Sequence, residues 1–71
     1  MAQRLVNAEN DFIAIIERFG DVNNQQARKV FEAYKKAKML NLDAIAGRYT
    51  VKHGGYLNKA AIRYTLSQVT P

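Results

Sequence analysis

The chain contains no cysteine, one histidine and one proline, and that proline is the last of its 71 residues. Without a thiol the chain cannot form disulfides, use a thiolate nucleophile or build the usual zinc clusters. Small secreted domains usually depend on disulfides, so this composition favours an intracellular protein, and we expect it in the cytoplasm. Because Pro71 is terminal, no helix has to break at a proline.

Long apolar runs are also absent. The most apolar stretch, residues 12–16, is followed at once by Glu17 and Arg18, and the N-terminus lacks the apolar core of a signal peptide. We therefore expect no membrane span. The apolar content of 48% nevertheless argues against disorder, and the length predicts a single compact domain over residues 1–71.

Residues suited to catalysis or metal binding are too few to predict an enzyme. His53 is the one histidine, no thiol accompanies it, and the acidic residues are scattered along the chain. A lone histidine beside Gly54 and Gly55 is more often a loop residue than a catalytic base or a metal ligand. We expect no catalytic residue, no metal and no cofactor. If Asp43 and His53 meet across a hairpin, the pair would hold a turn rather than activate a substrate.

The charge of the chain is divided unevenly along its length. The net charge is +5, but residues 1–27 carry two basic and four acidic side chains, whereas residues 28–71 carry nine basic and two acidic ones. The two parts therefore have net charges of −2 and +7. This asymmetry indicates a surface that meets a polyanion, although a basic surface that only keeps a small protein in solution would show the same charge.

Helical spacing of apolar residues predicts the first two helices. The first should cover about residues 8–19, with Gly20 placed as a left-handed stop. The second should cover about residues 24–39, with Asn23 and Gln26 as a relative of the capping box. Its apolar side carries Ala27, Val30, Phe31, Tyr34 and Ala37, and its opposite side carries Arg28, Lys29, Glu32, Lys35 and Lys36.

The segment over residues 40–53 supports two interpretations. Alternation of apolar and polar residues predicts a hairpin that turns through Ala46 and Gly47, while a short helix over residues 42–49 also matches the spacing. We favour the hairpin because residues 48–51 have strong strand propensity. A last helix over about residues 58–68 is apolar on two sides, which predicts either a homodimer or a partner protein. The predicted fold class is mainly α, with a short β-hairpin between helices 2 and 3.

Basic side chains fall into three groups, on the second helix, the hairpin and the last helix. With one tyrosine they form the candidate binding set: Arg28, Lys29, Lys35, Lys36, Arg48, Tyr49, Lys52, Lys59 and Arg63. The order helix, helix, hairpin, helix with these charges is similar to a reduced winged helix-turn-helix module, in which a helix enters the major groove and a basic wing touches the backbone.

That resemblance assigns a different role to each group. Arg48, Tyr49 and Lys52 would form the wing. Either the basic residues of the second helix lie along phosphates, or Lys59 and Arg63 point into a groove. The order of elements differs from the usual winged helix, whose wing follows the recognition helix. The hypothesis is a small accessory or regulatory protein that binds DNA or RNA through its phosphate backbone.

The stretch from Gly47 to Leu57, GRYTVKHGGYL, resembles small uncharacterised bacteriophage and mobile-element proteins, over about residues 27–66. The resemblance implies an alternative function, inhibition of a host protein or ribonucleoprotein by surface occlusion, as by an anti-CRISPR. It transfers no functional residue. On this interpretation the basic surface meets an acidic protein surface instead of a nucleic acid.

Overall fold

The computed structural model describes residues 2–43 and 45–69, with side-chain surroundings for residues 8–43, 45–53 and 55–69. The elements in chain order are α1 (Ala2–Gly20), α2 (Asn24–Lys36), β1 (Leu40–Asp43), β2 (Arg48–Val51), a short 3-10 turn (Gly54–Tyr56) and α3 (Lys59–Val69). The predicted fold class is confirmed. The boundaries differ in two places, since α1 begins well before residue 8 and α2 ends before residue 39. No described helix is long and apolar enough to cross a membrane.

The hairpin, and not the short helix, forms over the ambiguous segment. β1 and β2 pair antiparallel, with Leu40 opposite Val51 and Asp43 opposite Arg48. Asp43 organises the turn: its Oδ1 accepts hydrogen bonds from the amides of Ile45 and Ala46, each at 3.0 Å, and its carbonyl accepts one from Gly47. The alternating pattern prevails because it turns Leu40, Tyr49 and Val51 together onto the core.

The core lies where the three helices and one face of the hairpin meet. Its buried side chains come from α1, α2 and α3: Ala8, Phe12, Ile13, Ile16, Ala27, Val30, Phe31, Tyr34 and Ile62. The Tyr49 ring packs edge-on against Phe12 and Phe31, with centroid distances of 6.4 and 5.2 Å. Tyr34 donates a hydrogen bond of 2.8 Å from its hydroxyl to the Tyr56 carbonyl, which ties α2 to the segment before α3.

The end of α1 departs from the prediction. Gly20 is the last helical residue, and the left-handed residue is Asp21, with φ of 54°. The Val22 amide donates to the Glu17 carbonyl at 3.2 Å, which closes the helix as a Schellman motif does. Gly20 serves packing instead: it is buried, and a Cβ atom there would collide with the side chain of Ile62.

Both ends of α2 are closed by local hydrogen bonds. The predicted cap is confirmed as a full capping box, since Asn23 Oδ1 accepts from the Gln26 amide at 2.8 Å and Gln26 Oε1 accepts from the Asn23 amide at 3.0 Å. At the other end, the amides of Lys38 and Met39 donate to the carbonyls of Lys35 and Tyr34. Lys38 takes a left-handed conformation with φ of 59°, and α2 therefore ends at Lys36.

Only one of the two apolar sides of α3 enters the core. Ile62 is buried and Leu66 is half-buried against the other helices. The other side remains exposed, with 67% of Tyr64 accessible to solvent. The predicted homodimer or partner contact through that side stays a prediction.

Candidate nucleic-acid interface

A groove of about 750 Å³ runs beside α2 and ends at the last turn of α3. All four basic residues predicted on the second helix line it. The full lining is Arg28, Lys29, Glu32, Ala33, Lys35, Lys36 and Val69. Four of the seven residues are basic and one is acidic. We call Arg28, Lys29 and Lys36, which are exposed on this side of α2, the α2 basic surface.

Arg28 is held in place by a short chain of polar side chains. Its Nε donates to Asn24 Oδ1 at 2.8 Å, and Asn24 Nδ2 donates to Glu17 Oε2 at 2.9 Å. This chain uses one of the five donors of the guanidinium group, and no hydrogen bond within the described residues uses the others. The forked end of Arg28 is therefore oriented and available to an anion.

Lys29 and Lys36 carry charge that no described acid neutralises. The ion pairs among residues 8–43, 45–53 and 55–69 join Lys35 to Glu9, Lys35 to Glu32 and Lys59 to Asp21. The acid that lines the groove, Glu32, is thus engaged by Lys35 at 3.7 Å. The α2 basic surface keeps its positive charge for that reason.

Lys35 lines the groove as predicted, but it also faces α1. The helical spacing put it opposite the apolar side of α2, but its ammonium group lies 3.6 Å from Glu9 of α1 and 5.1 Å from the centre of the Phe31 ring. Because Phe31 is a core residue, this position is the border between the buried and exposed sides. Lys35 thus contributes to the contact between α1 and α2, and two acids screen its charge.

The two basic residues of α3, Lys59 and Arg63, lie beside the end of α1. Arg63 Nη1 donates to the carbonyls of Gly20 and Asp21, at 3.5 and 3.4 Å, and the Lys59 ammonium lies 4.0 Å from Asp21 Oδ2. Both cations therefore meet the C-terminal end of α1, where a positive charge is favourable. They do not line the α2 groove.

The predicted wing residues have three different surroundings. Tyr49 is half-buried in the aromatic cluster of the core, so its role is packing. Arg48 lines a separate cavity of about 260 Å³ between α1 and the hairpin, together with Asp11 and Ile15. Lys52 is exposed, and its amide donates to the Met39 carbonyl at 3.0 Å, which places it beside the end of α2.

Lys38 is a basic residue that the candidate set omitted. A helix continued to residue 39 would put Lys38 on its apolar edge, but the left-handed turn exposes it instead. It precedes Met39, to which Lys52 is hydrogen-bonded, so the two lysines flank one strand end. We call Lys38 and Lys52 the hairpin-base lysines. The sequence signal for this was available, since a lysine near the apolar edge indicates an early helix end.

The loop around His53 is stabilised by local hydrogen bonds. The Tyr56 amide donates to the His53 carbonyl at 3.1 Å, and Asn58 Oδ1 caps α3 by accepting from the Ala61 amide at 2.8 Å. Asp43 lies at the turn of the hairpin, opposite Arg48, and His53 lies beyond the other end, so these two residues do not meet across the hairpin. Within the described part of the chain, no group of three His, Cys, Asp or Glu side chains is close enough to hold a metal ion.

Comparison of the chain with known protein families, with curated proteins and with solved structures finds no match.

Proposed function

We propose that this protein binds nucleic acid, mainly through the phosphate backbone, with the α2 basic surface as the contact. The observation that carries the proposal is the exposure of Arg28, Lys29 and Lys36 along one groove whose single acid is already engaged by Lys35. Phosphate contacts need cations that are not neutralised by their own protein, because counterion release supplies most of the affinity. On this proposal the protein acts in the cytoplasm as an accessory or regulatory binder without enzymatic activity.

The order of elements supports α2 as the helix that meets the ligand. A turn of three residues, 21–23, joins α1 to α2, and the hairpin follows α2 directly. In winged helix-turn-helix modules the wing follows the recognition helix, so the order agrees if α2, and not α3, has that role. The likeness to winged helix-turn-helix modules is one of fold alone, and the functional claim rests on the exposed charge.

A salt series tests the proposal with matched variants. The test variant is Lys29→Gln with Lys36→Gln, and the control is Arg18→Gln with Lys59→Gln, which removes the same charge away from the groove. Glutamine keeps the helix propensity of lysine, so folding should be preserved. On duplex DNA the log–log salt slope should fall by about 0.9 per lost phosphate contact in the test variant only.

Two results would contradict the proposal. One is the absence of binding at low salt to every DNA and RNA form tried. The other is an equal loss of affinity in both variants, because that would show a response to net charge and not to the α2 basic surface. Circular dichroism of each variant checks that the helices remain.

Exposed aromatic side chains favour a second candidate, inhibition of a host protein by surface occlusion. Tyr64 on α3 is 67% exposed and Phe19 on α1 is 45% exposed, and both lie outside the α2 groove. Aromatic anchors of this kind dominate protein interfaces. Capture from a host lysate after nuclease treatment tests it: a stoichiometric protein partner that Tyr64→Ala loses would favour this function, and loss of all partners with nuclease would refute it.

A further inference from the structure

We infer that the ligand of the α2 basic surface is double-stranded DNA, and not single-stranded nucleic acid or double-stranded RNA. The inference rests on the proposed function and narrows its ligand class. Three observations carry it: where the aromatic side chains lie, what shape α2 presents, and where the hairpin-base lysines stand.

The basic surface offers no aromatic side chain on which unpaired bases can stack. The chain has seven aromatic residues, three Phe and four Tyr, and all seven are among the described residues. Five of them belong to the core or are half-buried against it, namely Phe12, Phe31, Tyr34, Tyr49 and Tyr56. The exposed pair, Phe19 and Tyr64, does not line the groove.

Stacking on aromatic side chains supplies about 1–3 kcal/mol per base in single-strand binders. A single strand laid on the α2 basic surface would receive phosphate contacts but none of this stacking. Its bases would also lose stacking on their own neighbours wherever the backbone is drawn along the groove. A duplex keeps its bases stacked internally, so it bears no such cost.

The contact element is a convex helix. Gln25, Arg28, Lys29, Glu32 and Lys36 are exposed at helical spacing along α2, and Ala27, Val30 and Phe31 anchor its other side in the core. A helix with its side chains is about 10–12 Å across, which matches the major groove of B-DNA at roughly 12 Å. The deep, narrow major groove of A-form RNA does not admit such an element. The shape therefore favours DNA over RNA among duplexes.

The hairpin-base lysines extend the charge past the end of the helix. α2 has 13 residues, a length of about 20 Å at 1.5 Å per residue, and Lys38 and Lys52 stand just beyond its last turn. A helix in a groove needs phosphate contacts on the backbone that flanks it. We assign that contact to Lys38 and Lys52, which are exposed in the connections that follow α2 and β2.

The test compares three probes of one sequence, each about 20 nucleotides or base pairs long, or roughly two turns of duplex. They are the DNA duplex, one of its strands alone, and the matching RNA duplex, measured at the same salt. We expect the DNA duplex to bind at least about tenfold more tightly than either competitor, a free-energy difference of about 1.4 kcal/mol. Lys38→Gln with Lys52→Gln should lower the salt slope on the DNA duplex by up to about 1.8, or 0.9 per contact.

The possible outcomes distinguish a failure of the inference about duplex DNA from a failure of the proposed nucleic-acid binding. Equal or tighter binding of the single strand or the RNA duplex would overturn the inference and leave nucleic-acid binding intact. An unchanged salt slope in the Lys38 and Lys52 variant would remove the hairpin base from the contact and overturn that part of the argument. Absence of binding to all three probes at the lowest salt would overturn the proposed function itself.

Discussion

Gly20 illustrates at the scale of one residue how a sequence signal and its physical cause can differ. A glycine after an amphipathic helix commonly adopts the left-handed conformation, and here Asp21 adopts it instead. Gly20 is needed because α3 approaches α1 at this point, with Ile62 against the helix backbone. Aspartate tolerates the left-handed region better than most residues, which frees Gly20 for packing.

Gly20→Ala should therefore destabilise the protein, although alanine is the better helix former. The gain in helix propensity is about 1 kcal/mol, whereas overpacking a filled contact costs about 1–3 kcal/mol. We expect the free energy of unfolding, measured by urea titration, to fall by about 1 kcal/mol.

A second substitution identifies the cause. The nearest atom to a Cβ at position 20 is Ile62 Cγ2, which leucine lacks at that place. Gly20→Ala should accordingly cost less in the background of Ile62→Leu, a swap that conserves volume. An equal cost in both backgrounds would show that the collision is not responsible.

At the scale of elements, the end of α2 sets both the length of that helix and the exposure of Lys38. Apolar spacing continues to residue 39, so the sequence predicts a longer helix than the one that forms. The helix stops because Met39 must turn back to begin the hairpin, and Lys38 takes the left-handed conformation that this turn requires. Apolar spacing alone does not show this end, although the position of Lys38 near the apolar edge indicates it.

Lys38→Gly should stabilise the fold and weaken DNA binding in the same variant. Glycine adopts the left-handed conformation without the steric cost of a side chain, so we expect a gain of about 0.5–1 kcal/mol in the free energy of unfolding. Loss of the lysine should at the same time lower the salt slope on duplex DNA by about 0.9.

The matched control is Ala37→Gly, one residue earlier, where φ is −82°. Glycine brings no conformational relief there, so that variant should lose stability and keep the salt slope. A destabilised Lys38→Gly variant would contradict the left-handed assignment at position 38.

At the scale of the whole molecule, Tyr34 joins three parts of the chain. Its ring lies in the core, its hydroxyl donates to the Tyr56 carbonyl, and the side chain of Thr65 of α3 lies near that hydroxyl. Burial raises the pKa of Tyr34 above its ordinary value of 10.0, and this effect outweighs the lowering by the polar side chain of Thr65; Tyr56 adds a smaller rise. The neutral form is therefore the one that the folded state favours.

This shift predicts a loss of stability in alkali. The pKa of Tyr34 is higher in the folded state, so its contribution is complete below pH of about 10 and is lost as the pH rises through the folded-state pKa. Tyr34→Phe keeps the ring and lacks the titrating group. Its stability deficit relative to the natural chain should be constant below pH of about 10 and should shrink above it.

Urea titrations of both proteins across that pH range measure the deficit, and lysine titration cancels because it affects both alike. A deficit that stays constant to high pH would contradict the prediction. The deficit itself, at neutral pH, should be about 1 kcal/mol for the lost hydrogen bond.

The interface also depends on the whole molecule. The sequence indicates that the basic charge lies after residue 27, but three of the nine predicted residues, Lys35, Lys59 and Arg63, meet acids or carbonyls of α1 and the residue after it, and Tyr49 packs in the core. What distinguishes Lys29 from Lys35 is the position of Glu9, which lies far away in the chain and close in space. Charge counting cannot detect that distance.

Periodicity, capping residues and charge in the sequence alone determined the three helices, the capping box of α2 and the location of the basic half. These are local properties, each set by residues within a few positions of one another. The tertiary structure decided why Gly20 is a glycine, that residues 40–53 form a hairpin and not a short helix, which side of α3 is buried and which cations stay free of acids. Those features depend on contacts between distant segments, and such contacts exist only once the helices have packed.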